Sequence, residues 1–313
     1  MNYENKKIIF DERLKELAIQ NKIYSENDFL YITRDNNTYP NYLNNNLFEK
    51  LLNIMKENNN EIYMQYKNGS GGELDSKYSR KTKKYIPPKM ASIASSSRFA
   101  YLTFIDKNNY NEISKIINEK ELENRFYFEE KLNVKNIKGA TPNLDVMAKT
   151  KDGNSGIFFE VKCHELFNHH IIEFSDAYIK TNVLTSKKEY SLQFNENELK
   201  MNKDKVRINK SVFGYSQDER VLIDIKQLVC HLLGIANTSY EKKQLIYLYF
   251  KPKNINDKEI NDIFNQLTNQ FIRISKLKEI LNFCNRYNIS LKLVYATNDA
   301  FELPLESEIT VLI

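Results

Sequence analysis

The stretch Pro142-Asn143-Leu144-Asp145-Val146-Met147-Ala148-Lys149-Thr150-Lys151-Asp152-Gly153-Asn154-Ser155-Gly156-Ile157-Phe158-Phe159-Glu160-Val161-Lys162-Cys163 places two runs of strand-forming residues around a polar turn. Leu144 to Ala148 and Gly156 to Cys163 are expected as strands, with Asp152-Gly153 as a type I′ turn that needs positive φ at both central residues. A turn centred there sets Asp145 opposite Glu160. Because side chains alternate along a strand, Glu160 and Lys162 share one face while Phe159, Val161 and Cys163 share the other. Two carboxylates and an amine therefore converge on one patch.

Like charges directly opposite on a sheet destabilise it by roughly 0.2–1 kcal/mol, so a purely structural hairpin gains nothing from the Asp145–Glu160 pair. A hard divalent cation removes the conflict. Mg²⁺, or Mn²⁺ in its place, is commonly held by one or two carboxylates, with water and substrate phosphate completing the shell. Asp145 and Glu160 are the expected metal ligands. Lys162, one pleat further on, is placed to meet an attacking water and the negative charge that grows on a scissile phosphate. This combination suits phosphodiester hydrolysis.

Pro142-Asn143-Leu144-Asp145 followed by Phe158-Phe159-Glu160-Val161-Lys162 resembles the PD-(D/E)xK motif of restriction-endonuclease-like nucleases. The proline stands three residues before the aspartate instead of next to it. The resemblance covers roughly residues 111–296 and implies an α/β fold with an αβββαβ core and a small mixed sheet. It gives catalytic roles to Asp145, Glu160 and Lys162. It also implies an auxiliary acid from the helix before the hairpin, for which Glu129 or Glu130 is the candidate, and an auxiliary glutamine on the next helix, which Gln227 resembles. The expected activity is that of a metal-dependent DNA endonuclease, restriction-type in form. Double-stranded DNA is the expected partner, and cutting both strands makes a homodimer the expected assembly. Two other readings stay open. One is a repair or recombination nuclease acting on branched or single-stranded DNA. The other is a catalytically inactive nucleic-acid-binding protein.

Working outward, a helix is expected from Asn111 to Leu132 and a strand from Val134 to Ile137 before the hairpin. After it come a helix from Val221 to Leu233, a strand from Gln244 to Phe250, one or two helices from Asp257 to Arg286, and a last strand from Ile289 to Ala296. Residues 91–313 are thus expected as the nuclease-like domain, with a Lys- and Arg-bearing insertion at about 164–218. Met90 to Phe104 is expected as a mostly buried helix or helix–strand junction. Residues 1–90 form a mainly helical, polar N-terminal region with amphipathic patterns at Phe10 to Ile19 and Leu47 to Met55. From Lys67 to Lys89 a glycine-containing loop carries Lys77, Arg80, Lys81, Lys83 and Lys84 with Tyr78 and Tyr85 interleaved, a pattern able to grip phosphates and stack on bases.

The 313 residues, 41% of them hydrophobic, suffice for a substantial core, and the net charge of +5 leans mildly toward a polyanionic partner. Three scattered cysteines, Cys163, Cys230 and Cys284, exclude a disulfide framework and fit a reducing cytoplasm. No stretch approaches membrane-spanning length. Cys163, His164, His169 and His170 are too irregularly spaced for zinc. His164 and Glu165 are expected to line the cleft beside the motif strand, and His231 shares a helix face with Gln227.

Overall fold

The hairpin forms in the expected register through a different turn. In the computed structural model, which describes residues 2–20, 25–69, 72–105, 113–114, 117, 121–135, 137, 141–185, 189–202, 204–252 and 258–296, the ladder runs from Lys149↔Gly156 to Val146↔Phe159. The Thr150 N–H donates to the Ser155 carbonyl (3.1 Å) and the Gly153 N–H to the Thr150 carbonyl (2.9 Å). Residues 151–154 therefore make a four-residue loop. Only Gly153 has positive φ, at 74°, while the Asp152 side chain accepts from the Asn154 N–H (3.0 Å) and tightens the turn. The type I′ expectation was wrong, but both turns share one centre and so leave the pairing unchanged.

Around this hairpin lies a five-stranded mixed sheet. Its strands are β5 (Tyr127–Lys131), β6 (Asn143–Lys149), β7 (Ser155–Lys162), β11 (Lys242–Phe250) and β12 (Ile289–Ala296), in the spatial order β12-β11-β7-β6-β5. The meander β5–β6–β7 is antiparallel, and β7, β11 and β12 run parallel. Every residue of β7 is buried, as expected for a central strand covered on both faces. Two expectations fail at the first strand. Tyr127–Lys131 is strand rather than the end of a helix, and none of the described residues of the Val134 to Ile137 expectation is in a strand. Of the rest of the Asn111 to Leu132 helix expectation, Ile113, Ser114 and Ile117 are helical, whereas residues 121–126 are not and Leu122 instead bridges Thr150; the other positions up to residue 120 lie outside the described residues.

Helices cover both faces. On one, α3 (Ser96–Ile105) sets Phe104 edge-on against Phe159, with ring centroids 4.7 Å apart, and Phe99 against Phe250 at 5.0 Å. The end of α2 (Asn45–Asn68) adds Tyr66 against Phe128 at 5.5 Å. On the other face lie α5 (Ile225–Ala236) and α6 (Lys258–Ser275), whose Phe271 packs on Tyr247. A Cβ at Gly234 would come within 2.6 Å of Leu132 Cβ, so glycine lets α5 sit close over the meander. The helix α7 (Lys278–Tyr287) ends on Asn288 in the left-handed region at φ 51°.

The N-terminal 90 residues contain more strand than expected. Beside α1 (Tyr3–Gln20) and α2 stand two hairpins, β1 (Leu30–Ile32) with β2 (Thr38–Pro40) and β3 (Lys77–Ser79) with β4 (Lys84–Ile86). One buried apolar cluster runs from Phe10 through Ala296 and includes residues from this region. The 164–218 segment also has structure of its own. β8 (Glu173–Ser175), the short helix α4 (Ala177–Lys180), β9 (Leu199–Asn202) and β10 (Lys205–Ile208) build a three-stranded sheet in the order β8-β10-β9. No helix among the described residues is long and apolar enough to cross a membrane.

Candidate active site

The polar face of β7 is where buried charge gathers. Glu160 is 2% exposed, and Lys162 lies beside it, nearly as deep. The Lys162 ammonium donates to Glu160 Oε1 and to Gln227 Oε1, the latter at 2.9 Å. Burial opposes the charge on Lys162, but Glu160, Glu165 and Asp145 outweigh it and hold the ammonium protonated. Gln227 reaches this position because α5 begins just before it, with the Asp224 carboxylate capping the Gln227 N–H at 2.9 Å. Burial alone would raise Asp224, but His170 and the capped amide keep its pKa down, at about 2.

At Asp145 the β6–β7 ladder stops and the side chain continues it, with the Val161 N–H donating to Asp145 Oδ2 at 2.7 Å. On the other side of β6, Tyr127↔Met147 and Phe128↔Val146 are paired, as are Glu130↔Leu144 and Lys131↔Asn143. Glu129 therefore stands opposite Asp145 without pairing to it, and its φ of 52° is unusual for a residue that carries a Cβ. Glu129, Asp145 and Glu160 form a row across three adjacent strands. Glu160 closes it at the bottom and the partly exposed Asp145 and Glu129 open it toward solvent.

The row stores electrostatic conflict. Burial, then Glu160, pushes the Asp145 carboxyl well above its ordinary range. Burial also raises Glu160, against the pull of Lys162. Burial, then Asp145 and Glu73, raises Glu129 to about 8. Glu160 Oε2 is buried and makes no hydrogen bond. His231 Nε2 lies 3.6 Å from it and donates to the Asn143 carbonyl at 3.0 Å, which fixes the ring proton on Nε2. Burial and then Lys162 lower the His231 pKa to about 3, so the ring is neutral. No preformed cage of three His, Cys, Asp or Glu ligands exists among the described residues. The donors present are hard oxygens, Glu160 Oε2 among them buried and without a hydrogen bond, which fits a hydrated cation bound by one or two carboxylates.

The structure brings together Asp145, Glu160, Lys162 and Gln227, and Glu129 joins them from a strand rather than a helix. Glu130 is the neighbour that instead pairs in the ladder, opposite Leu144. Glu165 turns back to accept from the Cys163 N–H at 2.6 Å. His164 meets Asp11 of α1 at 2.9 Å, and His170 meets the Glu165 carbonyl at 3.0 Å. The Cys163 thiol is buried and raised by that burial. One contributor escaped the sequence: Glu73, 6% exposed, lies near Glu129 and pairs with Lys89 at 3.2 Å. No local pattern marks it, since it reaches the site through the tertiary fold. Compared with protein-family models, curated proteins and solved structures, the chain matches none.

Proposed function

We propose that this protein is a metal-dependent nuclease of duplex DNA, with a restriction-endonuclease-like core and its active site on the row Glu129–Asp145–Glu160 and Lys162. The observation that carries this reading is the row itself. Three carboxylates stand at one level of three adjacent strands, each with its carboxyl raised by burial, beside a buried ammonium. Folding against so much like charge is unfavourable unless a cation and an anionic substrate compensate, and perturbed carboxyls grouped at a cleft are a functional signature.

Asp145 and Glu160 would hold Mg²⁺, with Glu129 at the open edge. The ion would supply polarisation of a phosphoryl oxygen and a lower pKa for attacking water. Lys162 remains protonated, so its task is to hold the attacking oxygen and to offset charge that develops on the phosphate. Gln227 fixes the Lys162 ammonium by accepting a hydrogen bond from it. His231, neutral and tied to Asn143, limits how far Glu160 can move.

Calorimetric titration with Mn²⁺ and Mg²⁺ tests this assignment. Wild type is expected to bind either ion and Asp145→Ala to lose that binding. Binding left unchanged in Asp145→Ala would remove the site from consideration.

A further inference from the structure

Between Asp75 and Asp106 the sequence has no acidic residue, and it holds Lys77, Arg80, Lys81, Lys83, Lys84, Lys89 and Arg98. Three of these have structural tasks. Arg98 is buried and donates to the carbonyls of Met90 and Ile93, each at 3.2 Å. Lys89 pairs with Glu73. Lys77 packs its aliphatic stem over Gly72. Arg80, Lys81, Lys83 and Lys84 remain, all exposed at the tip of the β3–β4 hairpin, and no described carboxylate lies within ion-pair distance of them.

This hairpin is a braced ribbon. The Tyr39 hydroxyl donates to the Tyr85 carbonyl at 2.7 Å and the Tyr85 N–H donates to Asp35 Oδ2 at 3.0 Å, which ties β3–β4 to the loop and strand of β1–β2. Tyr78 packs edge-on against Tyr85 at 5.4 Å and still exposes half its surface. Leu30, Ile32 and Ile86 are exposed large apolar residues on the same pair of hairpins.

The root of the ribbon adjoins the acid row. Gln65 of α2 accepts from the Phe128 N–H at 3.2 Å, and a side chain at Gly69 would meet Glu129 Oε2 at 3.4 Å. The Met90 N–H donates to the Glu73 carbonyl at 3.0 Å and the Lys89 N–H to the Gly72 carbonyl at 3.3 Å, so both legs of the ribbon leave from beside Glu129.

We infer that the β3–β4 hairpin is a duplex-DNA-binding ribbon that enters the major groove next to the scissile phosphate, with Arg80, Lys81, Lys83 and Lys84 on phosphates and Tyr78 against base edges. A two-stranded ribbon fits a major groove about 12 Å wide. Four exposed cations at its tip supply a sequence-independent grip, while its exposed tyrosine and neighbouring apolar side chains supply contacts able to discriminate bases. The choice of substrate rests on the nuclease reading above, whereas the placement of the ribbon rests on charge and bracing alone.

The test is a salt titration of binding by the full chain in EDTA, using a 30-bp duplex and a single strand of equal length. The variant is Arg80→Gln/Lys81→Gln/Lys83→Asn/Lys84→Gln, with asparagine at 83 because φ there is 54°. Each lost phosphate contact makes the negative slope of log K against log salt shallower by about 0.9, so its steepness is expected to drop by about 3–4 and affinity near 0.1 M salt by roughly 10–100-fold. An unchanged melting temperature verifies folding. A control set of exposed cations, Lys258→Gln/Lys276→Gln/Lys278→Gln/Arg286→Gln, is expected to change the slope by less than one of those steps. The inference is overturned if the ribbon variant keeps the wild-type slope, if the control set makes it equally shallow, or if wild type binds the single strand more tightly than the duplex. Duplex binding that depends on the ribbon, without any Mg²⁺-dependent cleavage, leaves the ribbon standing and removes the nuclease reading. Cleavage with an unaffected slope does the reverse.

Discussion

On one face of β7, Phe159 meets Phe104 and Val161 is fully buried; on the other, Glu160 and Lys162 are almost as inaccessible and carry opposite charges. The apolar face gains stability from area removed from water, about 25 cal/mol per Å². The polar face has to desolvate two ions, and their mutual attraction often fails to repay that. It also sits beside two further raised carboxyls, Asp145 and Glu129. A strand whose only task was structural would have apolar residues on both faces. Under the proposed function, the Phe159–Val161 side of the strand serves stability and the Glu160–Lys162 pair on the other serves chemistry.

Substitutions can pull the two faces apart. The largest effect is expected on chemistry: Lys162→Ala or Glu160→Gln should lower Mg²⁺-dependent DNA cleavage by at least ~10²–10³-fold in single-turnover assays. Phe159→Ala should cost about 3–5 kcal/mol in denaturant unfolding while leaving cleavage per folded molecule within a few-fold of wild type. If it instead removed cleavage from fully folded protein, the separation of faces would fail.

Glu160→Leu/Lys162→Met sharpens the comparison from the other side. Replacing a buried ion pair by apolar residues of similar volume is often neutral or stabilising by about 1–4 kcal/mol, so this variant should unfold at equal or higher denaturant and cleave nothing. A lower midpoint would mean that the pair stabilises the fold.

The titration of Glu129 gives a smaller and signed effect. Its pKa rises from 4.5 to about 8 in the folded protein, so the fold binds this proton more tightly than the unfolded chain does. That contribution is complete below 4.5 and is lost as pH climbs through about 8. In EDTA, the melting temperature should therefore fall across this window, and Glu129→Gln should flatten the profile. Gln227→Ala is expected to have the least effect, a loss of about tenfold in cleavage from one charge-assisted hydrogen bond worth roughly 1.5–3 kcal/mol when intact, because Glu160 still holds the ammonium.

The part of this site legible in the sequence was the part that obeys strand arithmetic. Asp145, Glu160 and Lys162 follow from alternation and the position of the turn, and the choice of turn type did not matter because the centre was the same. Gln227 was reachable from the helix that follows. β5 was not, because Tyr127-Phe128-Glu129-Glu130-Lys131 puts two adjacent glutamates and a lysine, good helix formers, into a strand that only pairing with β6 makes stable. The hairpins of the N-terminal region and the three strands within 164–218 are three or four residues long, too short to display a period. Glu73 lies in the Lys67–Lys89 loop, whose cations and tyrosines drew the sequence reading while its acid did not, and it is brought to Glu129 by the packing of α2 on β5.

The most direct test of the account is incubation of unmethylated plasmid and genomic DNA with purified protein in Mg²⁺, in EDTA, and with Glu160→Leu/Lys162→Met as a folded control. The account predicts cleavage products with wild type in Mg²⁺ and none in the other two reactions. Folded wild type that leaves every DNA intact in Mg²⁺ and Mn²⁺, or a double variant that cuts as well as wild type, would contradict it.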